Sequence, residues 1–356
     1  MLKQINCDEN KVISNTNSLI ISNIDELYDY LQTTGIEELK KDLLKSRFKS
    51  KTRKVQKKSS HDIIFTIIKR YTDDKLVPIG LGILASYVEQ YGYTAKLLEI
   101  FERNLLNIFE KEIVENQSRI IGFYCSSDNE IIVRNVIKYL KQKYEIVTFV
   151  GGPQAVALGD TFLRESGCDI VIEGEGEEPL KELLDYYICK KGDLKDIKNI
   201  KYIDKNNQYQ QNGIRELIED LDRLPFPKFK YDDQSHSYNA VHLITGRGCP
   251  NNCAFCYEGA NAKVVRYRSI ENVFEDINHI LYENPQTNFL RIVDDTFTLD
   301  AKRVIRFCEE MRKIRENHNI SWFCEAHVNN LCQNPEVISI MVDAGLVFSQ
   351  IGIESG

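Results

Sequence analysis

Three cysteines lie close together in the stretch GRGCPNNCAFCYEG, residues 246–259. Three residues separate Cys249 from Cys253, and two separate Cys253 from Cys256. An odd number of thiols does not suit a disulfide framework, and a structural zinc site takes four ligands, normally as two separated pairs. Iron–sulfur clusters do take thiolates from closely spaced runs like this one. A four-iron cluster held by three cysteines would leave one iron open to an external ligand, and an open metal position suggests chemistry.

Three further cysteines could in principle supply a fourth zinc ligand, namely Cys308, Cys324 and Cys332. None of them forms a second close pair, and Cys308 lies in a helical pattern that predicts a packed thiol. A zinc-stabilised structural module therefore stays as one alternative. It predicts a colourless protein that holds zinc after anaerobic purification.

The composition is that of an ordinary globular protein, with 42% hydrophobic and 28% charged residues over 356 positions. The formal net charge of −7 gives no electrostatic reason to expect nucleic acid as a partner. The sequence has no run of about eighteen apolar residues, so no membrane partner is expected. Ten cysteines without a signal peptide indicate a reducing compartment, and we expect a cytoplasmic protein.

Residues 61–192 alternate strand patterns with helical ones, after residues 1–60, which we interpret as a helical and linker segment. The strand patterns are DIIFTIIK, AKLLEI, RIIGFYC, IVTFV and DIVIE. This alternation predicts an α/β fold with a doubly wound parallel five-stranded sheet, of Rossmann or flavodoxin-like type. Ligands of such sheets bind in the crevice at the carboxyl ends of the strands.

Small residues directly follow two of these strands. Gly151, Gly152 and Pro153 follow the fourth, and Gly174 and Gly176 follow the fifth. Glycines let the backbone approach a flat ligand closely, but the same residues also serve as simple turn formers. The spacing alone does not choose between these interpretations.

The rest of the chain is predicted to form a connector and a second domain. Residues 193–238 contain a hairpin pattern turning at Asn206-Asn207, then a proline-containing extended stretch. Residues 239–356 repeat strand–helix patterns, which predicts a partial (β/α) barrel of about four strands, with Asp300 as the N-cap of one helix. Because the sequence stops on an apolar strand, and a bare parallel edge is usually avoided, we expect this domain to be C-terminally incomplete.

The cysteine run and its context resemble the radical S-adenosylmethionine (SAM) enzymes. The stretches GRGCPNNCAFC, RYRS, VDDTFT and GIESG fall where that family has them, and the run follows the first strand of a repeating β/α domain. The resemblance implies that Cys249, Cys253 and Cys256 are the catalytic metal ligands of a 4Fe-4S cluster. It also implies that SAM binds the open iron and is cleaved reductively to a 5′-deoxyadenosyl radical.

The first domain resembles the cobalamin-binding domain that precedes the radical SAM domain in one large subgroup. The resemblance rests on VPIGLGILASYVEQYGYTAKLLEI, VGGPQAVALGD and DIVIEGEGEEPLKEL. Cobalamin proteins that ligate cobalt through histidine carry D-x-H-x-x-G after the first strand, whereas this chain has KRYTDDKLVPIG there. We therefore expect cobalamin to bind without a protein histidine ligand, and Tyr71 or Val77 are the side chains that could lie near its lower face.

The resemblances and the strand-end positions together give the candidate cofactor-binding residues. SAM needs carboxylates for its amino group and ribose hydroxyls, and a cation for its carboxylate. Arg266, Arg268 or His327 could supply the cation, although family members often carry arginine at the position of His327. The candidate cofactor-binding residues are Ser126, Gly151, Gly152, Pro153, Gly174, Glu175, Gly176, Phe255, Arg268, Asp294, Glu325, His327 and Glu354.

The resemblance implies a cobalamin-dependent radical SAM enzyme. In that subgroup one SAM methylates the cobalt and a second generates the radical; methylation of an unactivated carbon is the commonest outcome, and rearrangement and ring closure also occur. A small-molecule or peptide substrate and an electron donor such as a flavodoxin or ferredoxin are the implied partners. The alternative is a truncated, catalytically inactive relative that binds cobalamin, a cluster or both.

Overall fold

The structure is a computed structural model, and it describes residues 61–69, 79–100, 105–229, 239–251, 253–254, 256 and 263–352. Its first sheet contains five parallel strands: β1 (Ile63–Ile68), β2 (Ala95–Ile100), β3 (Ile120–Tyr124), β4 (Val147–Gly151) and β5 (Ile170–Ile172). They are ordered β2-β1-β3-β4-β5, so the order reverses between β1 and β3. Ligands of such sheets bind at the carboxyl ends beside the reversal. The five predicted parallel strands are confirmed.

A hairpin extends this sheet by two antiparallel strands, β6 (Ile200–Ile203) and β7 (Tyr209–Gln211). It turns where the sequence predicts, and a carboxylate oxygen of Asp204 accepts hydrogen bonds from the backbone N–H groups of Asn206 and Gln208. The sequence predicted the hairpin and the five parallel strands but not their pairing, which extends the sheet to seven strands. The reason is the open edge of β5, whose backbone groups β6 pairs.

Helices cover both faces of the sheet: α1 (Ile79–Gln90), α2 (Leu105–Val114), α3 (Glu130–Lys143), α4 (Pro153–Leu158), α5 (Asp160–Ser166) and α6 (Glu177–Tyr187). Alternate side chains of β1 enter two different cores, because successive residues of a strand point to opposite faces. Ile63 and Phe65 share a core with α1 and α6, whereas Ile64 and Ile68 share one with α2, α3 and α5. Helices α4 and α5 are separated by Gly159, whose φ is 47°.

The second part of the chain contains β8 (Ala240–Leu243), β9 (Gly246–Arg247), β10 (Arg266–Tyr267), α7 (Ile270–Glu283), β11 (Phe289–Ile292), α8 (Ala301–Arg315), β12 (Ser321–Ala326), α9 (Val328–Gln333), α10 (Glu336–Asp343) and β13 (Leu346–Ile351). Four of these strands form a parallel sheet in the order β8-β11-β12-β13. This sequential order is that of an open part of a β/α barrel. The predicted partial barrel is thus confirmed as a second, parallel sheet.

The helices of the second part cover an apolar core around Trp322, which is fully buried. The rings of Phe297 and Phe307 meet the indole edge to face, at centroid distances of 5.7 and 5.3 Å. Cys308 lies buried in the same core, as predicted for a packed thiol, and Asp300 caps α8 by accepting the N–H groups of Lys302 and Arg303. Among the helices of the described residues, none has the length and apolar character needed to cross a membrane.

Candidate functional site

The stretch that carries the three clustered cysteines leaves the second sheet just after β8 and is closed at its base by a short ladder. In this ladder β9 pairs with β10, so that Gly246 stands opposite Tyr267 and Arg247 opposite Arg266. A Cβ at Gly246 would lie 2.8 Å from the Tyr267 ring and 3.0 Å from the Arg266 carbonyl oxygen, so glycine is needed for this close approach. The ladder brings the two ends of residues 248–265, here called the cysteine loop, together.

Cys249, Cys253 and Cys256 are free thiols and half-buried in this loop. The N–H of Cys256 donates to the carbonyl of Cys253 at 3.1 Å, which makes a turn between the second and third thiols. The side-chain amide of Asn251 donates to Sγ of Cys249 at 3.5 Å. Outside the loop, burial raises the pKa of the Cys308 and Cys324 thiols to about 12, as expected for packed, inert cysteines.

The three thiols have the donor chemistry of an iron–sulfur cluster site. Within the described residues, no three histidine, cysteine, aspartate or glutamate side chains converge on a position for a single metal ion. A cluster ligand set does not need such convergence, because each cysteine binds a separate iron. Soft thiolate ligands on one partly exposed loop therefore fit a cluster better than the closed four-ligand zinc site.

Asp294 and Asp295 follow β11 and hold the start of the cysteine loop. Asp294 is buried, and its carboxylate accepts the N–H of Thr245 at 2.6 Å and the hydroxyl of Thr245 at 2.5 Å. Burial raises the pKa of Asp294 to about 6, against the lowering effect of these hydrogen bonds. Asp295 accepts the N–H of Gly248 at 3.1 Å. Both carboxylates thus bind backbone immediately before Cys249, and the predicted SAM contact of Asp294 stays a prediction.

The guanidinium of Arg268 is engaged within the second part of the chain. It forms a buried ion pair with Asp276 at 2.7 Å and donates to the Ile244 carbonyl at 2.8 Å and to the side chain of Asn272 at 2.8 Å. These contacts join α7 to the end of β8. As a cation for the SAM carboxylate, Arg268 would have to leave them.

Of the other predicted SAM contacts, Glu325 lies half-buried on β12. Its pKa is raised by burial and by the negative charge of Asp295, although the positive charge of Arg291 lowers it. His327 caps α9, and its Nδ1 accepts the N–H of Asn329 at 3.3 Å. Strand β12 ends at Ala326, directly before this cap. Phe255 and Glu354, like Tyr71 and Val77, lie outside the described residues.

At the carboxyl edge of the first sheet, one asparagine fastens the reversal in strand order. Asn129 is buried, and its amide donates to the carbonyls of Ile68 at 3.1 Å and Tyr124 at 3.2 Å. Its amide oxygen accepts the N–H of the predicted site residue Ser126 at 2.9 Å. Asn129 therefore joins the ends of β1 and β3. This role was not predicted, because an asparagine just before a helix usually caps that helix, whereas this side chain makes no cap hydrogen bond to α3.

The small residues after β4 differ in how much room their backbone leaves for a side chain. Gly152 has a φ of 107°, and a Cβ there would collide with the Cys125 carbonyl oxygen, so only glycine fits. A Cβ at Gly151 would meet no atom within 4 Å, so this position opens onto free space at the sheet edge. Pro153 begins α4. An open edge lined by backbone fits a flat ligand such as cobalamin.

The predicted residues after β5 reach across to the cysteine loop. Glu175 lies between Gly174, whose φ is 69°, and Gly176, which precedes α6. The Glu175 carboxylate binds Arg266 at 2.8 Å and Arg247 at 3.0 Å. Burial alone would raise the pKa of Glu175, but the hydrogen bonds and charges of the two arginines keep it below the ordinary value. Ion pairs of Glu175 therefore link the carboxyl edge of the first sheet to the base of the cysteine loop.

Comparison with known families matches both parts of the chain. Residues 66–184 match the model of the B12 binding domain, and residues 243–356 match that of the radical SAM superfamily. An uncharacterized methyltransferase of Pyrococcus horikoshii is 32% identical over 298 residues, which are 81% of this chain and 63% of that relative. An anaerobic magnesium-protoporphyrin IX monomethyl ester cyclase of Rubrivivax gelatinosus is 24% identical over 293 residues, 78% of this chain and 52% of that relative. The chain thus spans less than two thirds of either relative.

Two solved structures have a similar fold. The cobalamin-dependent SAM radical enzyme OxsB, with aqua-cobalamin and SAM bound, matches with a TM-score of 0.69 at 18% identity, over 83% of this chain and 44% of that chain. The radical SAM methyltransferase TsrM from Kitasatospora setae, with tryptophan and a SAM analogue bound, also gives 0.69, at 13% identity over 82% and 59%. Both comparisons agree with two successive, mostly parallel α/β sheets.

Proposed function

We propose that this chain, whose two parts match the B12 binding domain and the radical SAM superfamily, takes part in cobalamin-dependent methyl transfer. The observation that carries the proposal is the loop with three free, half-buried thiols, closed at its base and attached to the carboxyl end of β8. Relatives named as methyltransferases support the reaction class. With the cofactors bound, the chemistry available would be reductive cleavage of SAM and methyl transfer through cobalt.

The chain's own residues would bind and orient these groups. Cys249, Cys253 and Cys256 would hold the cluster as thiolates, while Asp294 and Asp295 fix the backbone that leads into the loop. On the first sheet, Gly151 leaves room at the edge for a flat macrocycle. The loop after β1 contains no histidine, so cobalamin would bind without a histidine ligand from that loop.

The organisation we propose has a segment over 1–60, a cobalamin-binding domain over 61–192, a connector over 193–238 and a radical SAM domain from 239. A small-molecule or peptide substrate and a flavodoxin- or ferredoxin-type electron donor complete the proposal. A reducing, cytoplasmic setting is part of the same proposal, because thiols persist in reducing compartments.

The test is the release of 5′-deoxyadenosine. The protein, reconstituted anaerobically with iron and sulfide, is mixed with SAM and a strong reductant, and the product is measured by mass spectrometry. We expect product from the wild type and none when Cys249, Cys253 and Cys256 are changed to alanine. Cys332→Ala is the matched control, because that thiol is exposed on α9 and outside the loop, and it should keep the wild-type yield. Colourless protein holding zinc, or iron-loaded protein without product, would contradict the proposal.

A further inference from the structure

Four charged side chains link the carboxyl edge of the first sheet to the base of the cysteine loop. Glu175 forms ion pairs with Arg247 and Arg266, and Glu177 forms an ion pair with Arg247 at 2.6 Å. We call this set, Glu175, Glu177, Arg247 and Arg266, the inter-sheet clasp. Arg266 and Glu177 are only 8% and 3% exposed, so the clasp is largely shielded from water, where charge pairs interact more strongly than at the surface.

The two arginines stand directly opposite each other in the β9–β10 ladder. Like charges in directly opposed positions of an antiparallel pair destabilise that pair. Glu175 lies against both guanidinium groups, so its carboxylate offsets their repulsion. The ladder that closes the cysteine loop therefore depends on a carboxylate supplied by the other sheet.

The connector is hydrogen-bonded to two residues of the inter-sheet clasp. The N–H of Ile218 donates to the second carboxylate oxygen of Glu175 at 2.9 Å, and Arg266 donates to the Ile218 carbonyl at 2.6 Å. One carboxylate of the turn after β5 thus contacts two other chain segments, the connector and the base of the loop. A shift of the turn after β5 would be transmitted to the loop through hydrogen bonds at every step.

We propose that the inter-sheet clasp sets the position of the cysteine loop relative to the edge where cobalamin would bind. This inference rests on the proposed function. Glu175 and Glu177 are then positioning residues for the cluster, and occupancy of the first sheet's edge changes the stability of the β9–β10 ladder. Coupling of this kind is reciprocal, so a change at the loop also changes cobalamin affinity.

The first arm of the test needs no cofactor. Hydrogen–deuterium exchange is measured by mass spectrometry in the peptides that cover residues 244–248 and 265–269, for the wild type and for Glu175→Gln. We expect exchange to be about tenfold faster or more in the variant, because the two opposed arginines lose their carboxylate and the ladder opens more often. Exchange in α8 should stay unchanged, which shows that the fold is intact.

Glu178→Gln is the matched control. Glu178 lies on the same helix as Glu177 and pairs with Arg215 at 2.8 Å, so Glu178→Gln removes an ion pair of this helix that does not touch the ladder. Equal exchange of the ladder in Glu175→Gln and wild type, or an equal rise in the Glu178→Gln control, would overturn the proposal. If Glu175→Gln does not fold, Glu177→Gln removes one contact of Arg247 alone, and a smaller rise confined to the ladder is expected.

The second arm adds hydroxocobalamin to the full chain. Binding, read from the visible absorption spectrum, should slow exchange of the ladder in the wild type and in Glu178→Gln but not in Glu175→Gln. A general loss of stability would not remove this cobalamin-dependent change selectively. Binding without any change in ladder exchange would overturn the coupling. If the wild type binds no cobalamin, the proposed function fails, while the first arm still decides whether the clasp holds the loop.

Discussion

Asp294 and Thr245 form a buried pair that fixes the chain four residues before the first clustered cysteine. Both carboxylate oxygens of Asp294 are used, one by the backbone and one by the hydroxyl of Thr245. The carbonyl of Thr245 in turn accepts from Arg303 at 3.0 Å and from the N–H of Arg268 at 3.0 Å. Thr245, just after β8, is therefore hydrogen-bonded to the residue that follows β11, to α8 and to the segment after β10. These bonds fix the direction in which the loop leaves the sheet.

This pair predicts a specific pH dependence. Burial raises the pKa of Asp294 to about 6, above the value of an unfolded aspartate, so the folded protein binds the extra proton between about pH 4 and 6. The stability that this group contributes is fully present below pH 4 and is lost as the pH rises through 6, by up to about 3 kcal/mol. In Asp294→Asn the amide oxygen can accept the N–H of Thr245 and the amide NH2 can donate to the Thr245 hydroxyl oxygen, and the amide does not titrate. The difference in unfolding free energy between wild type and variant should therefore change across that window and stay constant above pH 7.

Denaturant unfolding at a series of pH values measures this difference. Asp300→Asn is the control, because asparagine caps a helix as well as aspartate does, and it should follow the wild-type profile. A constant difference between the wild type and Asp294→Asn from pH 4 to 7 would contradict the assignment.

At the scale of elements, α1 is placed by its contact with the connector. The N–H of Lys228 donates to the carbonyl of Gly82 at 3.1 Å, and the Lys228 ammonium reaches Glu89 at 2.8 Å. A Cβ at Gly82 would lie 2.6 Å from the Lys228 carbonyl oxygen, which is backbone and cannot rotate away. Gly80, two residues earlier, is exposed, and a Cβ there would meet no atom within 4 Å.

The two glycines of α1 should therefore respond in opposite directions to alanine. Gly80→Ala should stabilise the protein by about 0.5–1 kcal/mol, because alanine restricts the unfolded chain and favours helix. Gly82→Ala should destabilise it by about 1–3 kcal/mol, because the connector must move away from the helix. Thermal unfolding of both variants beside the wild type provides the measurement. A stabilised Gly82→Ala would mean that the connector does not rest on α1.

The sequence allowed the elements to be predicted better than their contacts. The mostly apolar run IIFTII predicted β1, because a strand buried on both faces is rich in apolar residues. The pairing of β6 with β5 was not predicted. Strand pairing depends on which sheet edge is free, and the local sequence pattern does not show which edge that is. Similarly, the contacts of Arg268 with Asp276 and with the Ile244 carbonyl are not evident from the sequence, and its predicted contact with SAM stays a prediction.

At the scale of the whole molecule, the two sheets share one apolar core. The core that contains Ile63 and Phe65 continues to Leu243 and Trp322 in the second part. Ile83 of α1, Leu224 of the connector and Ile244 after β8 line one small cavity between them. Together with the inter-sheet clasp, this continuity favours unfolding of the described residues as one unit.

The single tryptophan makes this cooperativity measurable. Because Trp322 is the only tryptophan in the chain, its fluorescence reports the second part alone, whereas far-ultraviolet circular dichroism reports both parts. We expect the two thermal midpoints to coincide, as they do for one cooperative unit. Gly152→Ala, which collides with Cys125 in the first sheet, should lower both midpoints by a few degrees. Gly151→Ala, in open space, should leave both midpoints near the wild-type value. If Gly152→Ala moved the dichroism midpoint and not the Trp322 midpoint, the two sheets would unfold separately. The clasp would then fix their relative position without making their unfolding cooperative.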